Sequence, residues 1–280
     1  MTSQTATAQQ LEFVKGHGTE NDFVLLPDPD DRLDLTPELV RALCDRHAGL
    51  GADGVIRVVR VGVTGFFMDY YNADGSIAEM CGNGARVFAR YLVEAGWTTP
   101  GHIDFETRGG PRWAELGTIG HVAIGMGPVK WGVTSSAAIG TYDDVPGLTV
   151  DVGNPHLACL VATDISDFDL TAPPRVDSAL FPNGANVEVI EVVDTDHVRM
   201  RVHERGVGET RSCGTGTVAA AAAYLVSEGR DKGRVTVDVL GGSVRVGIAH
   251  HPHGAQATLI GPAALVASGT IDTASLPGLK

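Results

Sequence analysis

Short apolar runs, bounded by glycine, proline or polar turn residues, recur along most of this chain. Many alternate with polar residues or are rich in β-branched side chains, which predicts short β-strands. The predicted strands lie at residues 11–14, 23–26, 55–61, 66–71, 103–107, 112–116, 121–125, 148–152, 157–162, 186–192, 197–202, 234–240, 243–248, 255–260 and 264–270. Strands therefore form the predicted framework of the molecule.

Helical spacing is confined to a few segments. Residues 34–47 carry leucines at helical intervals, with Thr36 as the predicted N-cap and Pro37 at the first helical position. Residues 85–95 and the alanine-rich 217–226 are the other predicted helices. In each half of the chain, one main helix follows most of the strands. This order favours an α+β fold with mainly antiparallel sheets over a parallel, doubly wound fold.

Two segments carry weaker patterns. Residues 131–144 are rich in serine, alanine and glycine, and we predict an irregular connection between domains there. Residues 175–180 predict a short helix at most.

The two main helices begin with matching sequences, MCGNGARVFARY and RSCGTGTVAAAAAY. Their cysteines, Cys81 and Cys213, are separated by 213−81=132 positions. Asn21 and Asn154, each in a Gly/Asn-containing loop before a strand, are separated by 154−21=133 positions. Two anchors at nearly one offset indicate an ancient internal duplication.

We therefore predict two pseudo-symmetric domains, each a mainly antiparallel sheet around a central helix, with the active site in the cleft between them. The first covers residues 11–130 and contains Cys81, and the second covers 131–270 and contains Cys213. Residues 271–280 are expected to return to the first domain. Residues 1–10 are polar and lack an apolar core, so they predict a disordered tail.

Composition limits the classes of partner. The chain of 280 residues has 21 Lys and Arg against 34 Asp and Glu, a net charge of −13, which argues against nucleic acid. No apolar run approaches the roughly 20 residues of a membrane helix. Four cysteines in this length do not form a disulfide framework. We expect a cytoplasmic protein that binds a small molecule, with no membrane partner and with a homodimer as an open alternative to a monomer.

A cysteine at the start of a helix has a specific chemistry. The helix N-terminus offers unpaired N–H groups and a partial positive charge, which stabilise a thiolate and also bind a carboxylate. Two such thiols, one in each domain, suit inversion of a carbon centre, because one base removes a proton and one acid supplies a proton on the opposite face. No cofactor is required. Cys44 and Cys159 lie among apolar residues and are interpreted as small buried hydrophobes.

Two sequence patterns resemble ligand-binding motifs, but the residues and elements around them do not fit those motifs. Gly49, Gly51 and Gly54 match a dinucleotide-binding fingerprint, but a helix precedes them and a strand follows, the reverse of the required order. His250, His251 and His253 lie at a hairpin turn without companion ligands at zinc spacing, so no metal is predicted.

Four motifs resemble those of the diaminopimelate epimerases, pyridoxal-independent enzymes of bacterial lysine and peptidoglycan synthesis. They are GTENDF, YNADGSIAEMCGNGAR, GNPH and HERGVGETRSCGTG. The HERGVGET run separates this family from proline racemases and hydroxyproline epimerases of the same fold. The resemblance implies epimerisation of LL-2,6-diaminopimelate to the meso form by proton transfer between two cysteines, without a cofactor.

The resemblance also implies roles for individual residues. Cys81 and Cys213 would be the acid/base pair, assisted by His156 and Glu204. The residues implied to bind substrate are Asn21, Asn72, Gly82, Asn83, Asn154, Asn186, Glu204, Arg205, Gly214 and Thr215. Arg205 suits a carboxylate, because a guanidinium donates two parallel hydrogen bonds. Many family members carry Gln at the position of Gly54, so a side-chain contact expected there is absent.

Three alternatives stay open at this point. One is an epimerase of the same fold that acts on a smaller amino acid, which Arg205 and the asparagines disfavour. Another is a Cys-His thiol hydrolase, which would need only one cysteine. The third is a non-catalytic amino-acid-binding protein, which has no use for two activated thiols.

Overall fold

The computed structural model describes residues 10–117 and 120–279. The described residues contain three α-helices, α1 (Pro37–Cys44), α2 (Gly82–Glu94) and α3 (Gly214–Ser227), and short 3₁₀ turns at Ile165–Asp167 and Thr273–Ser275. The strands are β1 (Gln10–Gly18), β2 (Asn21–Pro27), β3 (Gly54–Val61), β4 (Gly65–Asn72), β5 (Gly101–Thr107), β6 (Gly110–Leu116), β7 (His121–Pro128), β8 (Lys130–Ile139), β9 (Tyr142–Asp151), β10 (Pro155–Leu160), β11 (Arg175–Val176), β12 (Asn186–Asp194), β13 (His197–Glu204), β14 (Gly208–Thr210), β15 (Gly233–Val239), β16 (Gly242–His251), β17 (Gly254–Pro262) and β18 (Ala264–Asp272). No helix in these ranges is long and apolar enough to cross a membrane.

The chain divides into two compact units. One comprises the described parts of Met1–Gly18, Asp22–Val122 and Ala263–Lys280, and the other comprises Thr19–Asn21 and Ala123–Pro262. The first unit thus ends at Val122, where the sequence placed the boundary at residue 130, and the C-terminal residues join it from Ala263 onward. Of the predicted disordered tail, residues 1–9 lie outside the described residues, whereas Gln10 begins β1.

The first unit has a mixed sheet. β2 pairs with β3 in parallel, β3 with β4 antiparallel, β4 with β5 in parallel, and β1 with the C-terminal β18 antiparallel. α2 packs on β1, β3, β6 and β18. Its first turn lies against Phe23, Ile56 and Met68, all nearly or fully buried. This apolar contact fixes the start of α2 over the sheet.

The second unit repeats that arrangement. β10 pairs with β12 in parallel, β12 with β13 antiparallel and β13 with β15 in parallel. α3 packs on β9, β10, β12, β13, β15 and β16. Its five consecutive alanines, Ala219–Ala223, are all buried, as expected of a helix that is apolar on every side and enclosed by its neighbours. The constant offset between the matching residues of the two halves, and the same order of parallel and antiparallel strand pairs in the two units, support the internal duplication.

Several predicted elements differ from the structure. Residues 131–144 are not an irregular linker, because β8 and β9 form an antiparallel hairpin whose pairing includes Ala137 with Val145. Small side chains give a weak strand signal, but alternate positions such as Ala137 and Ile139 are buried. Residues 175–180 contain no α-helix; Arg175–Val176 is a two-residue strand paired with β8.

The start of the chain is also more regular than predicted. The connection between the predicted strands 11–14 and 23–26 consists only of Thr19 and Glu20, whose positive φ angles of 52° and 60° make a tight turn between β1 and β2. The predictions for α1 are confirmed at its N-terminus, where Pro37 occupies the first turn and Thr36 accepts a hydrogen bond from the Leu39 N–H at 3.3 Å. The helix ends at Cys44, earlier than the predicted residue 47.

Candidate active site

Cys81 and Cys213 are the N-cap residues of α2 and α3. Both have extended backbone angles, φ −134° and ψ 119° for Cys81 and φ −120° and ψ 117° for Cys213. The Cys81 sulfur accepts a hydrogen bond from the Gly84 N–H at 3.4 Å, and the Cys213 sulfur accepts one from the Gly216 N–H at 3.3 Å. Each sulfur therefore lies where a helix N-terminus stabilises negative charge.

The surroundings of Cys213 oppose its ionisation in the free protein. The residue is 5% exposed, and burial raises the pKa of its thiol well above the usual value. The carboxylates of Glu204 and Glu188 raise the pKa further, and the hydrogen bonds from the Thr215 hydroxyl and the Gly216 N–H only partly offset these effects. Cys213 is therefore a protonated thiol near neutral pH.

A chain of buried and half-buried polar groups runs from the sheet to Cys213. His156 and Glu188 are fully buried, and His156 Nδ1 lies 2.7 Å from Glu188 Oε1. His156 Nε2 lies 3.0 Å from Asn154 Oδ1. The Asn154 amide donates to Thr215 Oγ1 at 3.3 Å, and that hydroxyl lies 3.5 Å from the Cys213 sulfur. Three strand and loop residues are thus connected to the thiol.

Glu204 and Arg205 follow at the end of β13. Burial raises the pKa of the Glu204 carboxyl, although hydrogen bonds from the Thr210 hydroxyl and Cys213 lower it. The Arg205 backbone N–H donates to Asn186 Oδ1 at 2.8 Å, and Asn186 Nδ2 lies 3.5 Å from His156 Nε2. The Arg205 side chain is exposed and donates to the Asn183 carbonyl at 3.3 Å. Its guanidinium is accessible to an anionic group.

The first unit surrounds its thiol differently. Cys81 is partly exposed, and the buried residues of the following turn include Asn83 and Arg86. Burial lowers the pKa of the Arg86 guanidinium to about 10, and negative charge at Cys81 opposes that shift. A Cβ atom added to Gly18 would lie 2.9 Å from Arg86 Nη2, so β1 approaches this guanidinium closely. A guanidinium thus lies within electrostatic range of this thiol.

The remaining predicted residues are distributed over both units. In the first unit, Gly82 and Asn83 form the first turn of α2, and Asn72 ends β4, where its amide donates to Ser76 Oγ at 3.0 Å. In the second, the structure connects Asn154, His156, Asn186, Glu204, Arg205 and Thr215 around Cys213, with Gly214 at the start of α3. Asn21 begins β2 and groups with the second unit.

Gly54 is tightly enclosed. A Cβ atom there would lie 2.5 Å from the Tyr71 carbonyl oxygen and 2.6 Å from Cε2 of Tyr70. The Tyr70 ring thus occupies the space that a longer side chain at position 54 would need.

Glu188 was missed by the sequence reasoning, as were Arg86 and Tyr70. A signal for Glu188 does exist, because it interrupts the apolar strand NVEVIEVV between Val187 and Val189. A carboxylate is almost never fully buried unless it is paired. Its partner His156, however, lies on a separate strand and is found only through the fold.

Other predicted assignments can be checked directly. Cys44 and Cys159 are buried and unbonded to other cysteines, and burial raises the pKa of each thiol to about 12, which confirms their interpretation as inert apolar residues. The three histidines at the β16–β17 turn are exposed, and His250 lies 2.9 Å from Asp231. Within the described ranges, no group of three potential metal ligands is close enough to hold an ion.

Comparisons with known proteins agree on the fold and on one family. The family model for diaminopimelate epimerase matches residues 13–132 and 148–266. The diaminopimelate epimerases of Rhodococcus jostii (strain RHA1) and Thermobifida fusca (strain YX) are each 50% identical to this chain, over 293 and 280 residues. The alignments cover 96% and 95% of this chain, respectively, and 100% of each relative.

Solved structures support the architecture at much lower identity. A phenazine biosynthesis protein of the PhzF family from Bacillus anthracis superposes with a TM-score of 0.72 at 17% identity, covering 94% of this chain and 99% of that one. At this identity the likeness concerns the fold alone. It confirms the predicted α+β class and the internal duplication, with sheets that are mixed rather than purely antiparallel.

Proposed function

This chain belongs to the diaminopimelate epimerase family, and on that premise we propose that Cys81 and Cys213 are the two acid/base groups of its reaction. The enzyme is an amino-acid epimerase that interconverts LL-2,6-diaminopimelate and the meso form. The observation that carries the residue assignment is the shared N-cap geometry, in which each sulfur accepts an N–H from the first turn of its helix.

The proton transfer balances without an external reagent. One thiolate takes the α-hydrogen as a proton, and the electron pair stays on the substrate, delocalised towards the α-carboxylate. The other cysteine, as a thiol, gives its proton to the opposite face of the same carbon. The two sulfurs finish with exchanged protonation states, and proton exchange with water resets them. The reverse reaction uses the same groups in the opposite roles.

The helix starts would hold the reacting carboxylate. The backbone N–H groups of the first helical turns are directed away from the helix and carry partial positive charge. In this proposal Gly82 and Asn83, together with Gly214 and Thr215, donate to that carboxylate. These donors stabilise the negative charge that develops when the α-proton leaves.

The second charged end of the substrate would meet the polar residues around β13. Arg205 is exposed and its guanidinium suits a distal carboxylate. Asn21, Asn72, Asn154, Asn186 and Glu204 complete the proposed contacts to the distal amino and carboxylate groups. His156 and Glu204 would assist proton movement at Cys213, which is supported by the hydrogen bond between Glu204 and Cys213 and by the link from His156 through Asn154 and Thr215.

The proposal also covers the cellular location and the oligomeric state of the enzyme. We place it in the cytoplasm, which is supported by the four free cysteines, all in the described residues. A homodimer stays a prediction, and light scattering on purified protein would decide between one copy and two.

An isotope experiment tests the proposed chemistry. LL-diaminopimelate is incubated with the enzyme in heavy water, and the products are analysed by mass spectrometry. We expect meso product with one deuterium at the inverted carbon, and we expect Cys81→Ala and Cys213→Ala each to lose epimerisation by at least about a thousandfold. Inverted product without deuterium would contradict the two-thiol transfer. Cys44→Ala serves as the control and should keep wild-type activity.

A further inference from the structure

The internal duplication supplies a comparison within one molecule. Phe23 and Ile56 in the first unit correspond to His156 and Glu188 in the second, at offsets of 156−23=133 and 188−56=132. Phe23 pairs with Gly54 across parallel strands, as His156 pairs with Asn186. All four side chains of the two pairs are fully buried. The same scaffold position thus holds an apolar pair beneath one helix and an acid–imidazole pair beneath the other.

Glu188 lies directly under the first turn of α3. A Cβ atom added to Gly216 would lie 2.9 Å from Glu188 Oε1 and 3.3 Å from the Cys213 sulfur, so the carboxylate and the thiol flank the same point. At the equivalent glycine of α2, Gly84, an added Cβ atom would lie 3.1 Å from Ile56 Cδ1. Only glycine at position 216 lets the carboxylate approach this closely.

The Glu188 carboxylate holds the ring of His156 in place. Its Oε1 atom lies 2.7 Å from His156 Nδ1, a contact that fixes the ring orientation and places Nε2 3.0 Å from Asn154 Oδ1. Its Oε2 atom is buried and has no hydrogen-bond partner among the described residues. Burying a carboxylate in this way is costly, and an apolar pair fills the same space in the first unit. The arrangement is therefore explained by function rather than by packing.

His156 is connected to the Cys213 thiol through Asn154 and Thr215. Asn154, held by His156, donates to Thr215 Oγ1, which contacts the Cys213 sulfur. The charged or titratable groups facing Cys213 are Glu188 from β12, His156 from β10 and Glu204 from β13. Glu188 is fully buried, and its hydrogen-bond link to the thiol runs through His156, Asn154 and Thr215.

We infer that Glu188 is a positioning residue for the second half-reaction: by orienting His156 and Asn154, it supports proton transfer at Cys213 and has no counterpart at Cys81. The inference rests on the proposed function, since it presumes that Cys213 exchanges a proton with substrate. It predicts that the two thiols depend on different supporting residues despite their shared ancestry. Loss of Glu188 should therefore resemble a mild defect of Cys213 alone.

The test uses Glu188→Gln, which keeps the side-chain size, with Glu191→Gln as the matched control. Glu191 lies on the same strand and bonds Arg199 at 2.7 Å, with no link to the thiol. We expect Glu188→Gln to lower kcat by about 10- to 100-fold, by analogy with the range typical when the hydrogen-bond partner of a metal-binding histidine is changed, with KM changed by less than about threefold. Glu191→Gln should match the wild type.

A second readout distinguishes positioning from loss of folded protein. In heavy water, deuterium in recovered starting isomer is compared with the amount inverted, starting from each isomer in turn. When delivery from Cys213 is slow, the deprotonated substrate returns more often to the first thiol and exchanges without inversion. We expect this exchange-to-inversion ratio to rise for one isomer only, and the ratio does not depend on how much enzyme is active.

The possible outcomes distinguish a failure of the role of Glu188 from a failure of the proposed function. Unchanged kcat and unchanged ratios in Glu188→Gln, with an inactive Cys213→Ala, would overturn the role of Glu188 and leave the proposed function intact. An equal fall of exchange and inversion from both isomers would overturn it as well, because that is the signature of a merely structural role. A fully active Cys213→Ala would overturn the proposed function itself.

Discussion

Gly54 lies against Tyr70 so closely that a Cβ atom at position 54 would be 2.6 Å from the tyrosine ring and 3.1 Å from its hydroxyl. The two residues belong to neighbouring antiparallel strands, where Gly54 pairs with Asn72. Tyr70 is itself buried and packs edge-on against Phe23, with ring centroids 5.8 Å apart. The departure from the family's common Gln is thus matched by an aromatic ring that fills the position.

This contact predicts that Gly54 does not tolerate a side chain. Gly54→Ala should lower the free energy of unfolding by about 1–3 kcal/mol, because the new methyl group overlaps the Tyr71 carbonyl oxygen as well as the Tyr70 ring. Chemical denaturation measures the difference. Gly247→Ala, where no atom lies within 4 Å of the added carbon, is the control and should cost much less. Equal stabilities for the two variants would contradict the close packing.

The contrast between the thiols predicts an order of alkylation. The Cys213 pKa lies well above 9.0 and those of Cys44 and Cys159 are raised to about 12, so all three stay protonated at pH 8. Since only an accessible thiolate reacts and Cys81 is partly exposed while the other three thiols are buried, Cys81 should react with iodoacetamide faster than the others.

Peptide mass spectrometry of partly labelled enzyme gives the order directly. Labelling at Cys81 should parallel the loss of activity. Raising the pH should bring in Cys213 later than Cys81, because burial and the nearby carboxylates raise the pKa of its thiol, and urea should expose Cys44 and Cys159. Faster labelling of Cys213 than of Cys81 at pH 8 would show that the charges around Cys213 do not control its ionisation.

The sequence predicted the reactive positions better than the framework around them. A cysteine before Gly-x-Gly and a helical run is a local signal, because the N-cap and the first turn are set by neighbouring residues; both cysteines are N-caps. β8 and the first part of β9 could not be predicted, since their small and polar side chains carry little strand propensity and their order comes from pairing.

The polar network around Cys213 depends on tertiary contacts in the same way. Asn154 and His156 were identified through the resemblance, whereas Glu188 was hidden in an apolar strand. Its meaning appears only once β10 and β12 pair in parallel and bring His156 beside it. Spacing along the chain does not encode that pairing.

Arg205 predicts a selective loss of substrate binding. Arg205→Lys keeps the charge but loses the paired donors, so it should raise KM for diaminopimelate by about 10- to 100-fold, as expected for loss of a charge-assisted hydrogen bond, with a smaller change in kcat. Steady-state kinetics with LL-diaminopimelate measures both constants. Arg199→Lys is the control, because this exposed residue on β13, the strand that ends just before Arg205, pairs with Glu191. An unchanged KM in Arg205→Lys would remove Arg205 from the proposed site.

The buried pair beneath Cys213 predicts that activity and stability can be separated. Glu188→Ile alone leaves His156 buried without its partner and should destabilise the protein by about 3–5 kcal/mol. His156→Phe combined with Glu188→Ile copies the apolar pair that Phe23 and Ile56 form in the first unit. Replacing a whole buried ion pair by apolar residues is commonly neutral or stabilising by about 1–4 kcal/mol, so the double variant should recover wild-type stability or exceed it.

The same double variant should be severely impaired in epimerisation, because Asn154 and Cys213 lose the imidazole that orients them. Urea denaturation of the wild type, both single variants and the double variant gives the coupling free energy, and the isotope assay gives the activity of each folded protein. A double variant that is stable but inactive would indicate that the polar pair is kept at a cost to stability. A double variant less stable than Glu188→Ile would instead show that the polar pair is needed for packing in the second unit.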